Sequence, residues 1–414
     1  MLLLLTLGFA VADPVVLTET PGPSRCELSL AVRGKLKVTA GDKSDELPLV
    51  ADANHTFTDH PDRPGRSVRV YAAAKSTSQV AGERTARDLP ADRRRVVAQQ
   101  TAGGLVHYCP AGPLARDELE LAAEHLDPAA VAGLLPGRAV AVGGTWDVPS
   151  EAVRAACHLD GIGACAVIGT LTAGGPQATF ALNGTAEGVE NGATVKLTLK
   201  VTGTFDTAAA RVVRLTWEQT DVRGQGPASP ASELTATAEL TRTPAAADPA
   251  ATADLPNGEA VPDALLDLRY ADPRGRFTLT HARCWHVVGR SADHLVLRLL
   301  DGGTFVAQAT VTAWKAAAPG AHTPADEFRA ALAKLPGWEP EAELAAGELT
   351  VPAGWLYRVA ARGKQDGQPM TQTAYLMTAA GGGQLAVGVL ASPGAAVNGR
   401  DERLVRGLLP GTPR

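Results

Sequence analysis

The chain has 414 residues, of which 45% are hydrophobic and 20% charged, with 39 basic against 44 acidic side chains and a formal net charge of -5. That length exceeds one ordinary core, so two domains are expected. The near-balanced charge offers no basic footprint for a phosphate backbone and argues against a nucleic-acid binder. The densest basic run, Arg93-Arg94-Arg95, reads as a solvated strand edge.

In chain order, MLLLLTLGFAVAD comes first, with Ala10-Val11-Ala12 ahead of Asp13. The pattern is that of a secretory signal peptide over residues 1–12, too short to span a bilayer. No later segment reaches the ~18 consecutive apolar residues of a membrane helix. The expected protein is therefore exported, periplasmic or extracellular, with no integral membrane segment. Export makes disulfides available to the five cysteines. Cys157 and Cys165 flank the Gly-containing loop of CHLDGIGAC and can close a small disulfide; Cys26 and Cys109 can also pair, which leaves Cys284 over.

Residues 13–242 read mostly as strands. CELSLAV, GATVKLTLKV, RVVRLTWEQTDV and ELTATAEL alternate apolar and polar side chains, the period of a half-buried antiparallel meander. Helices interrupt it. RDELELAAEHL stripes Leu119, Ala122, Ala123 and Leu126; Asp127-Pro128 caps a further turn; a third short helix covers Ser150 to Cys157. The expected arrangement is a curved antiparallel sheet, half-barrel-like, with helices on its concave side. In layout it resembles the LolA/LolB-like lipoprotein carriers, which implies an apolar ligand or lipid in that domain. Residues 243–263, rich in Pro and Ala, read as an extended linker.

Residues 264–410 bring strands at LLDLRY, RFTLTH and CWHVVGR, then a hairpin about Asp301-Gly302-Gly303. HTPADEFRAALAKLPGW follows as a helix that Thr323 is expected to cap. Three strands, WLYRVAARG, QPMTQTAYLMT and GQLAVGVLAS, precede a last helix near Arg400 to Leu409. This order, with Phe277, Leu279, Trp285 and Val287 at its start, resembles the PsbP-like fold. The resemblance implies an α/β sandwich around an antiparallel sheet and a non-catalytic assembly or binding role. The chain as a whole resembles secreted bacterial two-domain proteins. The expected fold class is thus α+β in both halves.

Three groups of side chains are site candidates. His55, Asp59, His60 and Asp62 in ANHTFTDHPDRPG form the densest run of oxygen and nitrogen donors, suited to a turn or to a metal. Trp146, Phe180 and Trp217 are core aromatics that would line a ligand cavity if the first domain were hollow. Cys284 and His286 in HARCWHVVGR share one strand face, but two donors do not make a zinc site, and Trp285 with Val287 reads as core. No G-x-S-x-G, H-E-x-x-H, phosphate-binding loop, G-x-G-x-x-G or C-x-x-C is present. The sequence therefore points to a non-catalytic extracytoplasmic binding or assembly protein without a cofactor. Its partner would be a protein or an apolar small molecule; the alternatives are an apolar-ligand carrier and a hydrolase or metalloenzyme with an unrecognised site.

Overall fold

The computed structural model describes residues 13–40, 43–123, 125–258, 260–351 and 354–411, so the expected signal peptide over 1–12 lies outside the described residues. The expected α+β class is corrected. The chain is mostly antiparallel β, 58% strand against 12% helix, in large sheets that do not close. No helix among the described residues is long and apolar enough to cross a membrane.

A twelve-stranded sheet fills the first half. From one edge it runs Thr145–Asp147, Gly161–Ala173, Gln177–Glu190, Ala193–Asp206, Arg211–Arg223 and Ala231–Pro244. It continues through Ser24–Ala40, Lys43–Arg63, Arg66–Val80, Arg95–Thr101 and Gly104–Tyr108, with Glu83–Asp88 paired to Arg66–Val80. Strict alternation makes these strands. In Ala193–Asp206, Val195, Leu197, Leu199 and Val201 are buried while the threonines and lysines between them face solvent. With eight strands of 13 to 21 residues taking up about half of residues 13–244, the expected helical layer is reduced to short plugs. These are the α-helices Arg116–Ala122 and Ser150–Ala156 and the 3-10 helix Pro128–Leu134. Leu121, Val131, Leu134 and Val153 from these plugs join Leu28, Phe57 and Trp217 of the sheet in one core.

Two glycines let aromatic rings lie flat against the sheet. Gly203 pairs with Phe180 and Gly169 with Trp146 across neighbouring strands. A Cβ on Gly203 would stand 2.1 Å from the Phe180 ring, and one on Gly169 2.0 Å from the Trp146 ring.

The segment 243–263 is not a free linker. Its short helix Pro249–Thr252 and the residues after it lie against the first sheet, where Leu255 and Val261 pack with Val68, Val97 and Tyr108. Three arginines hold its backbone: Arg95 Nε donates to Ala251 O (2.9 Å), Arg66 Nη1 to Pro256 O (2.7 Å) and Arg63 Nη2 to Gly258 O (2.6 Å). The two halves then share a four-stranded sheet, in which Leu268–Ala271 runs parallel to Leu114–Ala115 and antiparallel to Phe277–His281.

In the second half the expected α/β sandwich is replaced by a seven-stranded antiparallel sheet with two short helices, Ala325–Leu332 and Arg400–Arg406. Its order is Trp285–Arg290, His294–Asp301, Thr304–Trp314, Gln384–Ala391, Gln368–Thr378, Trp355–Gln365 and Trp338–Leu349. Thr323 does not cap the first of these helices. Its Oγ1 accepts from Gln384 Nε2 (2.9 Å), and the same amide bonds Lys315 O, Thr323 N and Thr378 Oγ1. A buried Gln with all four bonds made outweighs a cap.

Gly203→Ala should destabilise the first domain by about 1–3 kcal/mol, the usual cost of overpacking a filled site. Urea unfolding followed by tryptophan fluorescence reads this, and a midpoint equal to the parent's would contradict the ring-on-glycine packing.

Candidate functional site

The structure separates the donors of ANHTFTDHPDRPG. All four lie on the strand Lys43–Arg63, whose alternation puts His55 and Asp59 on one face and His60 and Asp62 on the other, with both histidines buried and Asp62 exposed. Asp62 is taken by Arg66. His55 packs edge-on against Tyr71 with centroids 5.9 Å apart. Trp146, Phe180 and Trp217 are all buried in the core. Trp146 Nε1 donates to Leu134 O (3.0 Å) and Trp217 Nε1 to Gln219 Oε1 (2.9 Å). The small pocket beside that core, about 10 Å³ between Leu28, Leu30, Ala53, His55, Leu126 and Ala238, is lined by none of these three rings. All five cysteines are free thiols, Cys157 buried and Cys165 half-buried, so the structure does not join them. Cys26 and Cys109 lie in different core clusters. Trp285 is core, its Nε1 donating to Arg400 O (3.3 Å), with Cys284 packed at the rim.

The groups that do converge come from elsewhere. Arg69, on the inward phase of Arg66–Val80, is 1% exposed. It forms an ion pair with Asp127, which is equally buried and caps the 3-10 helix Pro128–Leu134 by accepting from Ala129 N (2.8 Å). His107, from the strand Gly104–Tyr108, places Nε2 2.7 Å from Asp127 Oδ2 and 3.4 Å from Arg69 Nη1. His158, at the exit of the helix Ser150–Ala156, places Nε2 3.6 Å from the same Oδ2. Its backbone sits at φ +54°, an uncommon state for a residue with a side chain. The two imidazoles are 5.6 Å apart. Asp127 N also donates to Ala156 O (3.2 Å), which ties the two helical segments together.

Burial by itself would raise the Asp127 carboxyl; the Arg69 guanidinium and His107 outweigh it and hold that group well below the usual carboxylate range. Burial pushes His107 down, and His158 and His55 down to about 4, so these rings are neutral near pH 7. Asp59 stands 4.0 Å from Arg69 Nε, and burial raises its carboxyl despite that neighbour. Asp59 Oδ1, Ser67 Oγ, Arg69 Nε and His158 Nε2 are buried without a hydrogen-bond partner.

Asp59 is also the link from this cluster to an open cleft of about 580 Å³. The cleft lies between the segment 19–24, the hairpin 59–67 and the start of the 3-10 helix at 128–132. Pro21, Pro23, Pro61, Pro64 and Pro128 give it stiff walls, and Asp59, Ser67 and Arg242 supply polar groups.

No protein-family model and no curated protein matches this chain. Among solved structures it is similar to cyanobacterial PsbP (CyanoP) from Synechocystis, at 13% identity and a TM-score of 0.27, over 35% of this chain and 92% of that one. It is similar to lipovitellin at 9% identity and a TM-score of 0.31, over 55% of this chain and 26% of that one. A Rh. blastica porin mutant follows at 10% identity and a TM-score of 0.12, over 89% and 98%. At these scores none of the three carries an argument, and the site stands on its own geometry.

Sequence reasoning missed Arg69, His107 and the convergence of Asp127 with His158. The one available signal was Arg69 itself, a charge on the inward phase of an alternating strand, which demands a buried partner.

His55 sets a pH dependence. Its pKa of about 4 in the folded chain, against 6.5 ordinarily, makes the unfolded chain bind the extra proton. Its contribution is full above pH 6.5 and lost as pH falls toward 4. Glu190, pushed up to about 7 by burial, works in the opposite sense, so the total profile does not isolate His55. His55→Gln should therefore be compared with the parent by urea midpoints at pH 7 and pH 4.5. The variant should lose less stability than the parent on acidification; equal losses would contradict a neutral, desolvated His55.

Proposed function

We propose that this is a non-catalytic binding protein of an extracytoplasmic compartment, and that its ligand docks in the proline-walled cleft over Asp59. The observation that carries this reading is the cleft of about 580 Å³, within the 300–1,000 Å³ usual for ligand sites, with Asp59, Ser67 and Arg242 among the polar residues of its wall. Ligand donors, an ammonium or hydroxyl, would satisfy the Asp59 carboxyl and the Ser67 hydroxyl at once. Both groups lose hydration on burial and regain it only through a partner. Stiff walls support the reading too, because a preformed site loses little entropy on binding.

The apolar-carrier reading has less support. The small pocket beside the first core, between Leu28, Leu126 and Ala238, is about 10 Å³, room for roughly one water and none for an acyl chain. The assembly reading keeps its place as a variant of this one, with a loop of a partner protein as the occupant.

A thermal-melt screen of amines, amino acids and short peptides tests the proposal. A ligand at a hundred times its Kd adds about 2.7 kcal/mol of stability. Hits should shift the parent and leave Gln100→Trp, which fills the cleft mouth, and Asp59→Asn unshifted. Hits that stabilise all three proteins equally would place binding elsewhere and overturn the assignment.

A further inference from the structure

The residues His107, Asp127 and His158 come from three separate elements, yet their donor atoms lie within 4.8 Å of one another. We propose that they form a binding site for a first-row divalent metal ion, zinc by preference, with a fourth position left to water. Two imidazoles and a carboxylate are a donor set that zinc takes readily, and three protein ligands with one open position is a recognised zinc geometry. This inference is independent of the cleft reading.

Four features of the cluster support it. Arg69 donates to both oxygens of Asp127, Nη2 to Oδ1 and Nη1 to Oδ2 (3.3 Å), and Ala129 N donates to Oδ1, so the carboxylate is fixed with its Oδ2 also facing both imidazoles. That is the outer-shell orientation that metal carboxylates require. His158 Nε2 is sealed from solvent and has no hydrogen-bond partner, a deficit that coordination would remove. The ring is held there by a backbone at φ +54°, a conformation that needs support from its surroundings. The His158 side chain is 19% exposed, which makes it the member of the three nearest to solvent.

The fit requires movement and charge compensation, and both are at hand. Ligand atoms about 2.0–2.1 Å from a tetrahedral ion stand about 3.3 Å apart. The Oδ2–His158 separation of 3.6 Å is close to this, while the 2.7 Å Oδ2–His107 contact must open, with the neutral His107 ring carrying its proton on Nδ1 so that the Nε2 lone pair meets the ion. Arg69 faces the ion as a like charge, with Nη1 3.4 Å from His107 Nε2. Asp127 neutralises it, and Asp59, 4.0 Å from Arg69 Nε, supplies a second carboxylate on the same guanidinium.

The experiment uses the full chain without an affinity tag, dialysed against a chelator and then titrated with zinc chloride by calorimetry and with cobalt(II) by absorption. The expected result is one equivalent bound, with the strong visible bands of four-coordinate cobalt. His158→Ala should weaken zinc binding more than about 100-fold, since losing even an outer-shell partner costs 10–100-fold. Melts of the metal-free variant and metal-free parent, run beside the titrations, separate any packing loss from the loss of binding. His158→Cys should recover binding and add a thiolate-to-cobalt charge-transfer band. No stoichiometric uptake, or uptake unchanged in both His158→Ala and His107→Gln, would overturn the proposal and leave a buried ion pair with two neutral histidines beside it.

Discussion

The first half of the chain depends on one buried ion pair. Arg69 sits on the inner face of a sheet whose inward positions are mostly apolar, and its desolvation costs several kcal/mol unless a carboxylate meets it. Asp127 meets it, equally buried, from the start of a 3-10 helix. The pair therefore locates that helix on the sheet. Through Asp127 N and Ala156 O it also locates the helix Ser150–Ala156, and through Oδ2 it orients His107 and faces His158. A hydrophobic plug can slide against an apolar face. A plug bearing the nearest counter-charge to a buried arginine cannot.

The same cluster reaches the rest of the molecule by short routes. Asp59 carries it to the wall of the open cleft. His107 carries it to the second half, since its carbonyl accepts from Arg283, whose Nε also bonds Leu266 O (2.6 Å). Arg283 in turn gives its own carbonyl to Arg116 Nη2 (3.1 Å), while Arg269 pairs with Glu118. Burial and the neighbouring Arg116 lower the Arg283 guanidinium to about 10, a measure of how dry this junction is. The junction is joined mainly by arginines bonding backbone carbonyls, the same device that holds the segment 243–263.

Strands such as GATVKLTLKV or QLAVGVLA were legible because alternation writes the buried face directly into the sequence, whereas Lys43–Arg63 and Gly161–Ala173 were read as a turn and a loop. The strand Trp338–Leu349 was not legible either, and the reason is physical. It is a sheet edge with Trp338 buried and nearly every later residue exposed, so WEPEAELAAGEL carries no two-period contrast. The helical layer was over-read because an apolar stripe of one or two turns looks alike in a plug and in a packed helix. Asp127-Pro128 was read correctly as a cap, but the cap has a second task that local sequence cannot reveal. Arg69, His107, Asp127 and His158 are spread over ninety positions of chain, and only strand order brings them together. In ANHTFTDHPDRPG the reverse holds: adjacency in sequence becomes separation across a sheet.

Coupling between Arg69 and Asp127 tests this account most directly, by urea unfolding of Arg69→Met, Asp127→Asn and the double variant, with Asn retaining the cap acceptor. Each single change leaves a buried charge unpaired and should cost about 3–5 kcal/mol, while the double should recover at least about 2 kcal/mol of the summed loss. Losses that add to within about 0.5 kcal/mol would mean the two charges do not depend on each other, and that the sheet and its plugs are held by apolar packing alone.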